Sequence, residues 1–309
     1  MSQGIYILNF KGSENMLLPK KVEIIEVGPR DGFQNIKEWI PTEVKLEVID
    51  ALVNAGFKKM QVTSFVHPKA IPQLKDSMEV AKYAVEKYPQ VKFNALIPNL
   101  FGAKSAYEAG IRELTYVISA SERHNLENVK KTIQESFDEL SRIRTEFSDT
   151  LIKIDIGTVF GCPYSGVVSV EQVLYMIATS LEHGADQILL ADTVGIANPK
   201  QMYDVITAVK KKFPGLDFGL HMHDTRGMAL ANILVALQEG VTKFDSAVGG
   251  LGGSPFAPGA AGNVSSEDLV NMLHQMGIET DVDLDMLLKA TAIVKENIKP
   301  GLAAHLANF

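Results

Sequence analysis

The fold of this chain is indicated by Gln187-Ile188-Leu189-Leu190-Ala191-Asp192, a β-rich run that is followed by the amphipathic stretch Pro199–Phe213 and then by a second β-rich run, Leu216–Met222. Such a strand–helix–strand unit requires parallel strands with the helix packed outside. The same alternation covers most of the chain, with β-rich runs at Val22–Gly28, Lys59–Ser64, Val91–Ile97, Glu113–Ser119, Leu151–Thr158, Gln187–Asp192, Leu216–Met222 and Lys243–Val248. Eight such units in about 240 residues are typical of a closed (β/α)8 TIM barrel.

Amphipathic stretches between these runs predict the outer helices, at Pro41–Ala55, Leu74–Lys87, Val129–Glu146, Ser169–His183, Pro199–Phe213 and Met228–Glu239. An open, doubly wound sheet is the alternative fold, but no G-x-G-x-x-G motif follows the first strand. We therefore predict one α/β domain over residues 1–309, with the barrel at about 20–265 and a C-terminal helical extension at about 266–309 that packs on it.

The composition is that of a folded globular protein, with 46% hydrophobic and 22% charged residues among 309. A net charge of −7 offers no basic stripe, so we expect neither a nucleic acid nor a membrane as partner. The single cysteine, Cys162, cannot form an internal disulfide, and the start of the chain lacks the basic flank of a signal peptide. We expect a cytoplasmic protein.

The segment from Leu220 to Asp224 contains two histidines, His221 and His223, at positions i and i+2. On an extended strand both rings leave the same face, which is a metal-binding geometry. Closure of a barrel makes the seventh, eighth and first strands neighbours, so Asp31 and Asn263 can converge with the histidines on one cation. This mixed nitrogen and oxygen set suits Mg²⁺ or Mn²⁺, while two histidines and a carboxylate could also hold ferrous iron or zinc.

Further polar residues lie where the other predicted strands end, on the face that carries the active site of a TIM barrel. They are Arg30, Ser64, Asn99, Ser119, Ser121, Thr158, Asp192 and Thr193. Each also has a plainer interpretation. Arg30 and Asp31 could form a surface ion pair, Asp192 could cap a helix, and Glu26 could brace Arg30 or the barrel floor. The glycine-rich run Gly249–Gly253 is costly in chain entropy, and a mobile lid over the site is the interpretation that uses it.

Taken together, the motifs resemble those of 3-hydroxy-3-methylglutaryl-CoA lyases, a family of metal-dependent TIM-barrel lyases. The resemblance runs from about Val22 to Leu288 and rests on segments in the family's order: Glu26–Asn35, Thr63–Val66, Phe160–Tyr164, Asp192–Gly195, His221–Thr225 and Gly249–Gly253. It implies cleavage of a 3-hydroxy-3-methylglutaryl thioester into acetyl-CoA and acetoacetate. It also implies an acyl-CoA partner and a homodimer.

By the same resemblance, Asp31, His221, His223 and Asn263 bind the metal, and Arg30 stabilises the enolate oxygen. Glu26 and Asp192 are candidates for orienting Arg30 or for relaying the hydroxyl proton, in which His221 could also take part. We expect Gln34 to contact the acyl thioester. Substrate contacts are also expected from Asn99 and Thr193.

Two residues depart from the family's pattern. Ser254 stands where the glycine-rich lid normally presents a cysteine that protonates the product carbanion, and an alcohol is a far weaker acid than a thiol. Gln61 stands where many relatives carry a glutamate. Three hypotheses follow: a lyase for 3-hydroxy-3-methylglutaryl-CoA with a slow or water-assisted protonation step, a lyase or condensing enzyme for another 3-hydroxyacyl-CoA such as citramalyl-CoA, and a silent metal-binding homologue. Retention of Arg30 argues against the third.

Overall fold

Eight parallel strands close into a barrel in this computed structural model, which describes residues 17–253 and 262–308. The strands are β1 (Glu23–Glu26), β2 (Lys59–Ser64), β3 (Lys92–Ile97), β4 (Glu113–Ser119), β5 (Leu151–Gly157), β6 (Gln187–Asp192), β7 (Phe218–Met222) and β8 (Lys243–Ser246). They pair in chain order, and β8 pairs with β1 from Glu23↔Lys243 to Glu26↔Ser246. The predicted TIM barrel is confirmed, and the open sheet is excluded.

The helices surround this barrel and continue beyond β8. They are α1 (Thr42–Asn54), α2 (Ser77–Lys87), α3 (Leu100–Glu108), α4 (Glu122–Val129), α5 (Ile133–Glu146), α6 (Val170–Glu182), α7 (Pro199–Lys212), α8 (Ala229–Gln238), α9 (Ser266–Gln275) and α10 (Leu284–Asn297). On α6 the apolar residues Val173, Met176 and Ile177 recur at helical spacing and are fully buried. Burial of each such side chain contributes about 1.5–3 kcal/mol, so this layer holds the helices on the sheet.

Several predicted strands extend one or two residues beyond the observed ones, and at the carboxyl ends of β1 and β8 a turn replaces the end of the predicted strand. The run Val22–Gly28 gives a strand only as far as Glu26, because Gly28–Gly32 forms a tight turn of π-helix. The run Lys243–Val248 ends as a strand at Ser246, and Val248–Gly250 is a 3₁₀ turn. Both turns lie at the carboxyl end of the barrel, where they place side chains over its interior.

The prediction of one helix at Val129–Glu146 is wrong. The segment contains the end of α4 and all of α5, and the two helices are separated at Lys130, which has a left-handed φ of 59°. Thr132 begins α5 with a capping box, in which its hydroxyl accepts from the Glu135 amide and the Glu135 carboxylate accepts from the Thr132 amide. This cap satisfies amide groups that a continuous helix would have used internally.

The C-terminal helices are tied to the barrel by backbone hydrogen bonds. The Val22 amide donates to the Glu279 carbonyl oxygen at 2.9 Å, and the Asp283 amide donates to the Ala55 carbonyl oxygen at 2.8 Å. Helix α10 packs against α1 beside this second bond. Within residues 17–253 and 262–308, no helix has the length and apolar character needed to cross a bilayer.

Candidate active site

Three side chains meet at the carboxyl end of the barrel. Ligand atoms of Asp31, His221 and His223 all lie within 4.8 Å of one another, and all three residues are buried. The two imidazoles leave β7 and its extension on the same face, with ring centroids 5.2 Å apart. His223 Nε2 lies 3.7 Å from Asp31 Oδ2. The strand periodicity and barrel closure that predicted this convergence therefore correspond to the observed geometry.

Asp31 reaches the cluster because the chain turns sharply after β1. The Asp31 amide donates to the Val27 carbonyl oxygen at 2.7 Å, and Pro29 stands at the second position of the turn. A Cβ at Gly28 would lie 2.6 Å from Glu26 Oε1, so a larger residue there would displace the Glu26 carboxylate from its hydrogen bonds. Sequence and packing together fix this turn, and the turn aims Asp31 at the histidines.

The donor set fits a divalent cation. His223 Nδ1 is buried and has no hydrogen-bond partner among the described residues. His221 Nδ1 lies 3.1 Å from Asp245 Oδ2, which orients the ring and leaves Nε2 for a ligand. The Asn263 amide is beside the cluster, with Nδ2 donating to Asp31 Oδ2 at 2.6 Å. A buried carboxylate, two imidazoles and a neighbouring amide are groups that hold Mg²⁺, Mn²⁺ or another divalent metal.

Charge interactions keep the carboxylates of the cluster ionised. Burial alone would raise the pKa of Asp31, but the Arg30 guanidinium and the two histidines outweigh it and hold that pKa well below its usual range. Burial opposes ionisation of Asp245 as well, and Lys153 with His221 lowers its pKa. Asp31 is therefore present as a carboxylate, which is the form that can bind a cation.

Arg30 is buried beside the candidate metal ligands, with 5% of its surface exposed. Its Nη1 donates to Asp31 Oδ1, and its Nε donates to Gln61 Oε1. Gln34 Nε2 also donates to Asp31 Oδ1, at 2.8 Å. The structure thus assigns Gln34 a contact with a ligand residue, and its expected contact with the acyl thioester stays a prediction.

Glu26 is a brace between three segments. Its Oε1 accepts from the amides of Gly28 at 2.7 Å and Val248 at 3.0 Å, and its Oε2 accepts from Ser266 Oγ at 2.5 Å. Burial raises the pKa of Glu26 to about 8. These contacts join the turn that carries Arg30 to the turn after β8, so they favour the bracing interpretation over proton relay.

Asp192 caps the turn that follows β6. Its two carboxylate oxygens accept from the amides of Ile196 at 3.0 Å and Ala197 at 2.9 Å. Burial raises the pKa of Asp192, and His223 partly offsets this effect. The N-cap of α7 is Asn198 instead, so the alternative of a helix N-cap at Asp192 is not what the structure shows.

Two of the predicted substrate contacts, Asn99 and Thr193, are involved in local structure. Asn99 is the N-cap of α3, and its Oδ1 accepts from the Gly102 amide at 2.9 Å. Thr193 Oγ1 accepts from the Thr158 amide at 2.8 Å. The hydroxyls of Ser64 and Thr158 are buried without a partner among the described residues, and Thr158 has a left-handed φ of 59°. A β-branched residue in that conformation is strained, and strain of this kind concentrates at functional sites.

The glycine-rich segment lies directly against the ligand cluster as far as it is described. A Cβ on Gly252 would lie 2.5 Å from Asn263 Nδ2 and 3.4 Å from Asp31 Oδ2, and Gly252 has a φ of 116°. Close approach and backbone conformation therefore both require glycine at this position. Ser254, the predicted replacement for the catalytic cysteine, lies outside the described residues.

Sequence reasoning missed Asp245. It lies on β8 directly opposite His221 in the β7–β8 register. A signal was present, because an aspartate follows Phe244 inside a predicted barrel strand, where an ionised side chain is costly unless it has a partner.

Comparisons with known proteins agree on one family. A family model described as HMGL-like matches residues 21–294. A hydroxymethylglutaryl-CoA lyase of Bacillus subtilis is 45% identical over 297 residues, which cover 95% of this chain and 99% of that protein. The crystal structure of a Bacillus subtilis HMG-CoA lyase superposes with a TM-score of 0.91 at 44% identity, covering 94% of this chain and 98% of the other. An HMG-CoA lyase of Acinetobacter baumannii, in complex with coenzyme A and 3-methylmalate, gives a TM-score of 0.89 at 40% identity over 94% and 95% of the two chains.

Proposed function

This chain belongs to the HMGL-like family, and from that premise we propose that it is a metal-dependent lyase that cleaves 3-hydroxy-3-methylglutaryl-CoA into acetyl-CoA and acetoacetate. One observation carries the proposal beyond resemblance. The ligand atoms of Asp31, His221 and His223 lie within 4.8 Å of one another, and a buried guanidinium contacts one of them. A site that only bound a metal would have no need of a cation beside its ligands.

We propose that Asp31, His221, His223 and Asn263 hold the metal, which when bound would polarise the tertiary hydroxyl of the substrate and lower the cost of removing its proton. As that proton leaves, the carbonyl of acetoacetate forms and the adjacent carbon–carbon bond breaks. The electron pair moves toward the thioester and develops as an enolate of acetyl-CoA. Protonation of this enolate carbon completes the reaction.

Arg30 has the role of stabilising the enolate oxygen. Its guanidinium is buried and held on two sides, so it needs little reorganisation when negative charge develops beside it. For the hydroxyl proton we propose Asp192 as the acceptor, because its pKa is raised by burial and is affected by His223. Glu26 is assigned to bracing, since its hydrogen bonds go to Gly28, Val248 and Ser266 and, among the described residues, to none of the candidate metal ligands.

Several finer points belong to the same proposal. We propose Mg²⁺ or Mn²⁺ as the metal, because the set includes a carboxylate and an amide oxygen. We also propose a homodimer in the cytoplasm and a single lyase domain over residues 1–309, with Asn99, Thr193 and Gln34 near the substrate. Light scattering of the purified protein tests the dimer.

The experiment that tests the function is a substrate panel. The purified protein, loaded with Mg²⁺ or Mn²⁺, is incubated with 3-hydroxy-3-methylglutaryl-CoA, citramalyl-CoA and other 3-hydroxyacyl-CoA thioesters, and acetyl-CoA is measured by mass spectrometry. We expect release from 3-hydroxy-3-methylglutaryl-CoA that stops on chelation of the metal. Faster release from another thioester would reassign the substrate, and no release from any would point to a silent homologue.

Ser254 gives the alternative substrate its support, because a serine cannot protonate the product carbanion as a thiol does. If protonation limits turnover of 3-hydroxy-3-methylglutaryl-CoA, Ser254→Cys raises kcat on that substrate. The control is Ser254→Ala, which leaves no acidic group at the position. An unchanged or lower kcat in Ser254→Cys would remove this explanation.

A further inference from the structure

A continuous row of buried polar side chains crosses the barrel interior from Arg30. Arg30 Nε donates to Gln61 Oε1, and Gln61 Nε2 donates to Asn94 Oδ1 at 2.9 Å. Thr115 Oγ1 donates to the same Asn94 oxygen at 3.0 Å. Gln61, Asn94 and Thr115 lie on β2, β3 and β4, and each is at most 1% exposed. We call Gln61, Asn94 and Thr115 the amide relay.

The direction of the amide relay is fixed by a backbone group. Asn94 Nδ2 donates to the Met60 carbonyl oxygen at 3.3 Å, and a carbonyl oxygen can only accept. Asn94 Oδ1 must therefore face Gln61, and Gln61 must donate to it through its Nε2. The Gln61 Oε1 is then left facing Arg30. A flip of either amide would set two donors or two acceptors against each other in a dry interior.

The neutral charge of the amide relay matters as much as its direction. Arg30 already makes an ion pair with Asp31, whose carboxylate is also a candidate metal ligand. A carboxylate at position 61 would neutralise the guanidinium a second time and would face the Asn94 oxygen, acceptor against acceptor. Gln61 accepts from Arg30 Nε without adding charge, so it fixes the plane of the guanidinium and leaves its field available to a developing anion.

From these contacts we propose that Gln61, Asn94 and Thr115 are positioning residues that hold the Arg30 guanidinium in the orientation its role in the lyase reaction requires. None of the three needs to touch the substrate, and each acts through Arg30. The proposal rests on the proposed function for its kinetic consequence only, because the orientation of Arg30 is a property of the protein itself.

The main variant is Asn94→Leu, which keeps the side-chain volume close and removes the acceptor that fixes Gln61. We expect kcat to fall about tenfold or more, since small misplacement of a catalytic group is costly, while KM and the affinity for Mg²⁺ stay within about twofold. In an Arg30→Met background the same substitution should change kcat less than about twofold, because there is no guanidinium left to orient. An equal fall in both backgrounds would overturn the proposal.

A matched pair of substitutions distinguishes loss of positioning from loss of folding. Thr115→Val removes one donor to Asn94, and Thr63→Val removes a buried bond of the same kind, from Thr63 Oγ1 to Ser77 Oγ at 2.8 Å. That second bond joins β2 to α2 and has no connection to Arg30. We expect Thr115→Val to lower kcat about threefold and Thr63→Val to leave it unchanged at a similar stability. Equal effects on kcat would overturn the amide relay as a positioning device.

A measurement that does not depend on catalysis tests this proposal separately from the proposed function. The chain has six arginines, so the Nε–H signals of the ¹⁵N-labelled, Mg²⁺-loaded protein can be assigned by single substitutions, with Arg30→Lys for Arg30. We expect the Arg30 Nε–H to exchange slowly with solvent and to lose at least about tenfold of its protection in Asn94→Leu. Unchanged protection would overturn the proposal even in an active enzyme. Lost protection in a protein that cleaves no thioester would sustain the orientation and reject the proposed function.

Discussion

On the β1–β4 side of the barrel mouth, the buried charge belongs to Arg30, and its supports beyond Asp31 are the neutral side chains of the amide relay. On the β5–β8 side, the buried groups include His221 and His223, and the support of His221 is the carboxylate of Asp245. The supports differ because one half has to stabilise an anion and the other has to bind a metal. A guanidinium keeps its field for an anion when its supports are neutral, whereas an imidazole becomes a better metal ligand when a carboxylate polarises it.

The largest expected effect comes from removing the charge on the β1–β4 side. Arg30→Met should lower kcat by about 10³-fold or more, because the interaction with the enolate exists only in the transition state. The affinity for Mg²⁺ should change little, since Asp31 and the histidines remain. Steady-state kinetics and titration calorimetry measure the two quantities. Loss of metal binding together with kcat would contradict a division of labour between the two halves.

On the β5–β8 side the corresponding substitution is Asp245→Asn. It removes the carboxylate that faces His221 Nδ1 and should weaken Mg²⁺ or Mn²⁺ binding by about 10–100-fold. Calorimetric titration of the purified variant measures this change.

Asp155→Asn is the matched control for this substitution. Asp155 is also a buried carboxyl on the inside of this half, and burial raises its pKa. It has no hydrogen bond to His221 among the described residues, so its replacement should leave the metal affinity within about threefold. Equal losses in Asp155→Asn and Asp245→Asn would mean that general charge, rather than orientation of His221, sets the affinity.

The functional residues of the two halves could not be predicted equally well from the sequence. His221 and His223 could be predicted as a pair because strand periodicity and barrel closure bring them together with Asp31. Asp245 escaped because its contact depends on the β7–β8 register, which places it opposite His221 and which periodicity does not determine. Asn94 was missed for the same reason, because its contact with Gln61 depends on the β2–β3 register.

The strand ends near Gly28 and Val248 were predicted less well than the strands themselves. Tight turns begin there, and their geometry depends on hydrogen bonds to Glu26 from both segments. The turn at Val248 is held by a partner more than two hundred residues away, so it leaves no local pattern in the sequence. The same bonds support the bracing interpretation of Glu26 over the proton-relay role that the family resemblance suggested.

The smallest expected effect is on the pH dependence of stability, and it comes from two buried glutamates that contact the turn after β8. Glu26 and Glu267 accept from the successive amides of Val248 and Gly249, and burial raises their pKa values to about 8 and about 7. A raised carboxyl pKa means that the folded state binds the proton more tightly than the unfolded state. The stability that this group contributes is fully present below the unfolded pKa and is lost as the pH rises through the interval up to the folded pKa.

For Glu26 that interval runs from the ordinary value of 4.5 to about 8, so its linkage should lower the free energy of unfolding by up to roughly 1.4 kcal/mol per pH unit between them. Glu26→Gln keeps an oxygen for the Gly28 and Val248 amides and abolishes the titration. Urea unfolding of the metal-free protein between pH 5 and pH 8 should therefore show a flatter pH dependence in Glu26→Gln than in the parent chain. Glu86→Gln, on the exposed surface of α2, is the control, and a Glu26→Gln curve parallel to the parent's would mean that the Glu26 carboxylate carries a full negative charge over this whole pH range.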